Sequence, residues 1–301
     1  MSIVTTSEKF GRTDYLAVEG AHGLTFPTLK TRADFAEYEL TPAQLNAFRE
    51  NGFVHDVRIL SDAQIEKIRS GLEDIVQRRN PRMDELSGAP GDPSSPMTYF
   101  QNAWIVDEVI HDLVFHPAIT VKLTQLLNTP RVRFFHDQIF YKPARTGGNV
   151  AWHQDYSYWQ RATPAQHITV WIGLDDSRLD NGCLHAVPGS HRWPLLDPTA
   201  LMGDMEGLAK QLNAEQRAQF KPKALEQPSG TCSFHHDHTV HGSFANKSDR
   251  PRRAIVLNYM ADGTRSAAKD GVIMPGFPKI PEGQLISGPC FPLVIDRDKL
   301  A

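Results

Sequence analysis

Apolar positions in the first 130 residues recur at helical spacing, whereas those of the following 130 crowd into short runs separated by turn residues. LTPAQLNAFRENGF opens the regular part of the chain: Thr41 is suited to cap a helix, Pro42 to its first position, and Gly52 to stop it. FVHDVRIL predicts a short strand. Ser61 with Gln64 forms a capping box that opens a helix through IEKIRSGLEDIVQRR, closed by Pro81. Residues 85–98, ELSGAPGDPSSPMT, are loop by composition. A further helical stretch is expected over about 104–128. After Pro130, strands are predicted in RVRFFHDQIFYKP, HITVWIGLDD, GCLHAVP, TCSF and RRAIVLNYM. Residues about 197–222 predict a helical insertion, residues 1–38 an irregular arm or lid, and residues 263–301 a tail wrapped over the core. Helices first and strands afterwards imply a mainly β fold with flanking helices (α+β), a sandwich or barrel in one domain spanning 1–301.

Composition narrows the function. Lys and Arg total 32 and Asp and Glu 35, a formal charge of −3, which argues against a general nucleic-acid binder. Cys183, Cys232 and Cys290 are far apart, odd in number and outside any C-x-x-C, so reduced thiols are expected rather than a disulfide framework or zinc ribbon. The N-terminal residues lack a signal-peptide pattern, and no apolar run approaches the roughly 18 residues of a membrane span. The expectation is a cytoplasmic protein acting on a small molecule, with no nucleic-acid or membrane partner; a homo-oligomer is left open.

The chemistry starts in AWHQDYSYW, residues 151–159. In an extended segment His153 and Asp155, two apart, point to the same side. Either Asp155 simply orients a neighbouring imidazole, or the pair is two-thirds of a metal site. FHHDHTVHGS offers a third ligand among His235, His236, His238 and His241. Two histidines and one carboxylate on one face of a metal leave the other face open, as in non-haem Fe(II) oxygenases. The electrons for dioxygen then come from a co-substrate. A 2-oxo acid chelates the iron, and its far carboxylate pairs with an arginine fork. Arg250, Arg252 and Arg253 follow His241, and alternation allows at most one of Arg252 and Arg253 to point inward. Zn(II) with a bound water, as in a hydrolase, is the alternative use of the same ligands. A non-catalytic ligand-binding relative is a third reading.

YKP, WHQD, DNGCL, PGSH, HGS and an arginine eleven residues beyond His241 together resemble the phytanoyl-CoA dioxygenase family of Fe(II)/2-oxoglutarate oxygenases, over residues about 40–262. The resemblance implies a double-stranded β-helix (jelly-roll) core, with Fe(II), 2-oxoglutarate and O2 as reagents. It places the iron ligands at His153, Asp155 and His241, the 2-oxoglutarate anchor at Arg252, and Trp171 and Gln138 near the co-substrate. His236 matches a recurrent family position beside the ligands; His235 and His238 match none, and their roles are left open. Lys142 is similar to a family lysine whose facing is left open. Tyr156, Tyr158 and Trp159 are packing residues or a substrate wall, while Asn181-Gly182 and His191 are read as structural. Cys183 and Cys232 are expected to be buried and inert. Halogenating relatives replace the carboxylate of H-x-D; its retention here favours hydroxylation of an unactivated C–H bond, with succinate and CO2 released. The substrate implied is a free small metabolite, with a fatty acyl-CoA as the alternative.

Overall fold

In the computed structural model, residues 6–7, 12–13, 15–23, 25–78, 97–202 and 204–299 are described. Helix α1 (Pro42–Asn51) begins and ends at its caps. Gln44 donates its backbone N–H to Thr41 Oγ1 at 3.3 Å, and its side-chain oxygen accepts the Thr41 N–H at 2.9 Å. Gly52 ends the helix at φ 83° and hands the chain to β1 (Phe53–Arg58). A Cβ at Gly52 would stand 2.4 Å from His191 Nδ1, so backbone and packing both select glycine there. The Ser61–Gln64 box opens α2 (Asp62–Arg78) as expected. Pro81 and most of the 85–98 loop fall outside the described residues; β2 (Thr98–Gln101) begins where that loop was expected to end.

The expected helix over 104–128 is three pieces. A 3-10 turn at Ala103–Ile105 precedes α3 (Glu108–Val114) and α4 (Pro117–Leu126). Asp107 caps α3 through Ile110 N at 2.9 Å. Pro117 disfavours helical backbone at His116 and starts α4 instead. The strands that follow are β3 (Arg131–Lys142), β4 (Val150–His153), β5 (His167–Gly173) and β6 (Leu184–Ala186). The insertion at 197–222 is less helical than expected. It holds a 3-10 turn at Leu208–Lys210 and the six-residue α5 (Ala214–Gln219), because Pro198 and Gly207 interrupt it and Asn213 caps a new start. Beyond it run β7 (Lys223–Leu225), β8 (Thr231–His236), β9 (His241–Ser243), β10 (Arg252–Ala261) and β11 (Leu293–Asp296).

All pairing is antiparallel. The larger sheet runs β11-β3-β10-β5-β8-β1, with β2 beside β3; the smaller runs β7-β6-β9-β4. Period-2 alternation sorts the larger sheet's side chains. Ile168, Val170, Ile172, Phe234, Ile255, Leu257 and Tyr259 pack on the helices with Ile68, Leu72, Leu113 and Ile119. Phe53, Trp171, Ala254 and Val256 face the smaller sheet's Leu184, Ala186 and Leu225. Behind the smaller sheet, Trp152 and Val240 pack on the insertion through Trp193, Leu196, Leu208 and Leu212. Two facing antiparallel sheets buttressed by helices make the jelly-roll core. The arm contributes as well: Phe26 and Phe35 are buried, and the Phe26 ring lies 4.8 Å from that of His116. Among the described residues no helix is long and apolar enough to cross a membrane.

Candidate metal centre

His153 closes β4, and His241 opens β9 directly opposite, with ring centroids 4.2 Å apart. His153 Nδ1 lies 2.7 Å from Ala151 O, and His241 Nδ1 2.9 Å from Thr239 O. A carbonyl only accepts, so both Nδ1 atoms carry the hydrogen and both Nε2 atoms present a lone pair. Gln154 stays extended (φ −109°, ψ 132°), which brings Asp155 to the same side as His153 before the chain turns at Asp155–Tyr158. The Gln154 side chain pins this corner, accepting from Leu196 N at 2.8 Å and donating to His238 O at 2.9 Å.

Asp155 Oδ1 lies 3.4 Å from His153 Nε2 and 3.6 Å from His241 Nε2. Two donors each about 2.1 Å from one ion stand about 3.0 Å apart at right angles and about 3.4 Å apart at the tetrahedral angle. The three atoms therefore already have the spacing of a ligand set. Burial pushes His241 well below an ordinary histidine, which keeps it neutral and ready to ligate.

These residues open into a cavity of about 190 Å³ that Trp171, Gln138, Tyr158, Trp159 and Arg252 also line. Arg252 is 1% exposed, and its guanidinium carbon sits 5.3 Å from the Trp171 ring centroid. Burial lowers its pKa to about 10, leaving it charged at neutral pH. Nη2 donates to Gly182 O at 3.2 Å, while Nε and Nη1 have no partner. Buried donors left unpaired cost about 1–3 kcal/mol, more when charged, so this side chain is built for an anion. A carboxylate satisfies both nitrogens, and the donor set fits 2-oxoglutarate as the histidines and aspartate fit iron. Arg253 faces the other way, onto Asp175 and Glu73, and Arg250 is exposed near Asp180. The Asn181-Gly182 turn does more than connect strands, since its glycine carbonyl steadies Arg252. Gly182 has φ 77°, and a Cβ there would stand 2.3 Å from Phe244 O.

Tyr156 is not among the residues lining the cavity. Its ring stacks on His238 and its hydroxyl donates to Ala162 O at 3.0 Å. Lys142 does not line the cavity either: Nζ donates to Ser243 Oγ at 2.7 Å and Phe244 O at 2.6 Å, and burial, then Arg252, lower its pKa to about 6. His191 belongs to neither His/Asp cluster and packs beside His236.

Three residues had no role assigned from the sequence. His235, one of four candidate histidines, is 1% exposed and lines the cavity with Nε2 3.3 Å from Asp155 Oδ2. Thr169 donates to that same oxygen at 2.6 Å. Tyr99 Oη accepts from Gln101 at 2.6 Å and Gln138 at 3.0 Å, and burial raises its pKa to about 12. His238, whose role was also left open, is half-buried and forms a second cluster with His236 and Asp237. Cys183, Cys232 and Cys290 are buried and no disulfide joins them.

The phytanoyl-CoA dioxygenase (PhyH) family model matches residues 48–254. L-Proline trans-4-hydroxylase of Streptomyces griseoviridis is 26% identical over 229 residues, covering 70% of this chain and 83% of its own. Ectoine dioxygenase of Halomonas elongata is 27% identical over 242 residues, covering 76% and 72%. Among solved structures, the non-heme alpha-ketoglutarate-dependent carbocyclase SnoK of nogalamycin biosynthesis superposes with a TM-score of 0.68 at 25% identity, covering 88% of this chain and 99% of SnoK. The family match runs from α1 through β10 and takes in His153, Asp155, His241 and Arg252, and the chain belongs to the phytanoyl-CoA dioxygenase family.

Proposed function

We propose that this chain, as a single cytoplasmic oxygenase domain, hydroxylates an unactivated C–H bond of a free small organic molecule. It uses Fe(II), 2-oxoglutarate and O2. Iron, when bound, would activate O2, the oxidant, with electrons from 2-oxoglutarate, which leaves as succinate and CO2. His153, Asp155 and His241 hold the metal; Arg252 grips the distal carboxylate over Trp171, beside Gln138. The jelly roll positions these groups and keeps bulk water from them. Tyr158 and Trp159 form part of the substrate wall.

The observation that carries the reading is the unpartnered, fully buried edge of Arg252 in the cavity that also holds the His/Asp/His set. A zinc hydrolase gives that edge nothing to bind. A cavity of about 190 Å³ shared with the co-substrate supports a small substrate over a fatty acyl-CoA; relatives are named for both classes, proline and ectoine in one and phytanoyl-CoA in the other. Buried cysteines without a disulfide accord with a reducing compartment. The test is anaerobic addition of Fe(II) and then 2-oxoglutarate, followed by the visible charge-transfer band of the chelate. Succinate release is then measured across free amino acids, cyclic amines and acyl-CoA thioesters. A folded protein that gives no band overturns the reading; release on acyl-CoA alone overturns the substrate class.

A further inference from the structure

Four polar side chains form one rung across the larger sheet. In register, His136 lies opposite Asn258, Asn258 opposite Thr169, and Thr169 opposite His235, on β3, β10, β5 and β8. All four are buried. Buried polar groups are costly without a partner, and a row of them in a strand core calls for a purpose. The rung ends at Asp155, on the oxygen the metal set does not use. Oδ1 faces His153 and His241, whereas Oδ2 accepts the Thr169 hydroxyl at 2.6 Å and has His235 Nε2 at 3.3 Å. Resting on the iron-site reading above, we propose that Thr169 and His235 are positioning residues that hold the outer oxygen of Asp155 and keep this carboxylate a one-oxygen ligand.

Thr169 is the first holder: its hydroxyl donates to Oδ2, and Oγ1 also lies 3.0 Å from Asn258 Oδ1. Asn258 Nδ2 lies 3.1 Å from His136 Nε2 and 3.4 Å from Gln138 Oε1, so polar contacts run without a break from His136 to Asp155. His235 is the second holder: its Nε2 lies 3.3 Å from Oδ2, and neither ring nitrogen has a hydrogen-bond partner. His153, Asp155 and His241 are the set whose ligand atoms all lie within 4.8 Å of one another; His235 stands behind the carboxylate, outside that set.

Coordination number gives the rung its consequence. An octahedral ion offers six positions. Two histidines, a two-oxygen carboxylate and a chelating co-substrate fill them all. A one-oxygen carboxylate leaves one for dioxygen.

The test compares Thr169→Val, which keeps the shape and removes the hydroxyl, Thr169→Ser, which restores it, and His235→Phe. Each is titrated with Co(II) by calorimetry and visible absorption, alongside the unsubstituted chain. Partners of metal ligands typically change affinity 10–100-fold when removed. We expect losses in that range for Thr169→Val and in the same direction for His235→Phe, a changed Co(II) spectrum in both, and recovery in Thr169→Ser. Wild-type affinity and spectrum in Thr169→Val and His235→Phe proteins of normal circular dichroism overturn the proposal while leaving the iron site standing. If Thr169→Val does not fold, His235→Phe decides on the same readouts. If the unsubstituted chain binds no Co(II), the iron-site reading falls and takes this one with it.

Discussion

Among the described residues lie two groups of two histidines and one aspartate, His153/Asp155/His241 and His236/Asp237/His238, and their geometry separates what their composition does not. In the first, each Nδ1 is tied to a backbone carbonyl two residues earlier, so Nε2 lone pairs point inward and stand 3.4 and 3.6 Å from the carboxylate. In the second, the Nδ1 atoms themselves approach the carboxylate, at 3.0 Å from His236 and 2.7 Å from His238. Donors on one ion stand about 3.0 Å or more apart, so 2.7 Å marks a charge-assisted hydrogen bond. Asp237 also accepts His167 N at 3.1 Å. Burial opposes its charge, but His167, His236 and His238 outweigh it and hold the carboxyl well below the usual range. The first cluster is open toward a cavity; the second is closed on itself and braces the turn between β8 and β9 that delivers His241.

Substitution of the two aspartates gives the largest contrast. Asp155→Ala should abolish the Fe(II)/2-oxoglutarate band and reduce turnover by about three orders of magnitude or more, as expected when an ion loses its carboxylate. Asp237→Asn should keep one metal per chain. A second equivalent of Co(II) bound by the unsubstituted chain and lost in Asp237→Asn would collapse the distinction.

Arg252→Met sharpens the same contrast from the far end of the cavity. Hydrogen bonds to a charged group are worth about 1.5–3 kcal/mol, so 2-oxoglutarate affinity should fall by about 10–150-fold with Co(II) affinity unchanged. Thermal stability should not fall, because the substitution removes a buried charge with unpaired donors. A large loss of Tm, or metal affinity falling with that for 2-oxoglutarate, would show Arg252 to be structural. Asp237→Asn should do the reverse. Breaking a buried charge network costs about 3 kcal/mol, several degrees of Tm, with 2-oxoglutarate affinity retained.

Much of the open site was legible because its signals are local. H-x-D needs only two residues of extended chain, and alternation lets only one of Arg252 and Arg253 point inward; the family resemblance then chose Arg252 and, among four histidines, the His241 of H-G-S, while Arg253 lies on Asp175. The capping boxes at Thr41 and Ser61 are equally local. Thr169, His235 and Asn258 were not legible, since their alignment comes from the register of strands distant in sequence. Period-2 spacing places Thr169 with Trp171 on one face but says nothing of what stands opposite. Tyr156 was a wall candidate only as one of a run of aromatics, a signal that carries no direction, and its ring lies on His238 instead. The break at Pro117 was legible and was overridden by the apolar pattern on both sides of it.

The smallest effect concerns a buried histidine remote from both clusters. His116 sits between Phe26 and the Ile59 carbonyl, to which Nε2 lies at 2.9 Å, and burial lowers its pKa to about 4. The ordinary value is 6.5, so between pH 6.5 and 4 the unfolded chain binds the extra proton and stability rises with pH. The contribution is complete above about 6.5 and is lost as pH falls toward 4. From pH 7 to 5 the loss is about 2 kcal/mol at most. His116→Asn keeps a donor for Ile59 O without the titration, so its Tm should drop less than that of the unsubstituted chain over this interval. Asp237→Asn should leave the His116 contribution intact, because that network is held by groups on β5 and β8 and the turn after β8. Equal slopes for His116→Asn and the unsubstituted chain would mean that the proton enters elsewhere.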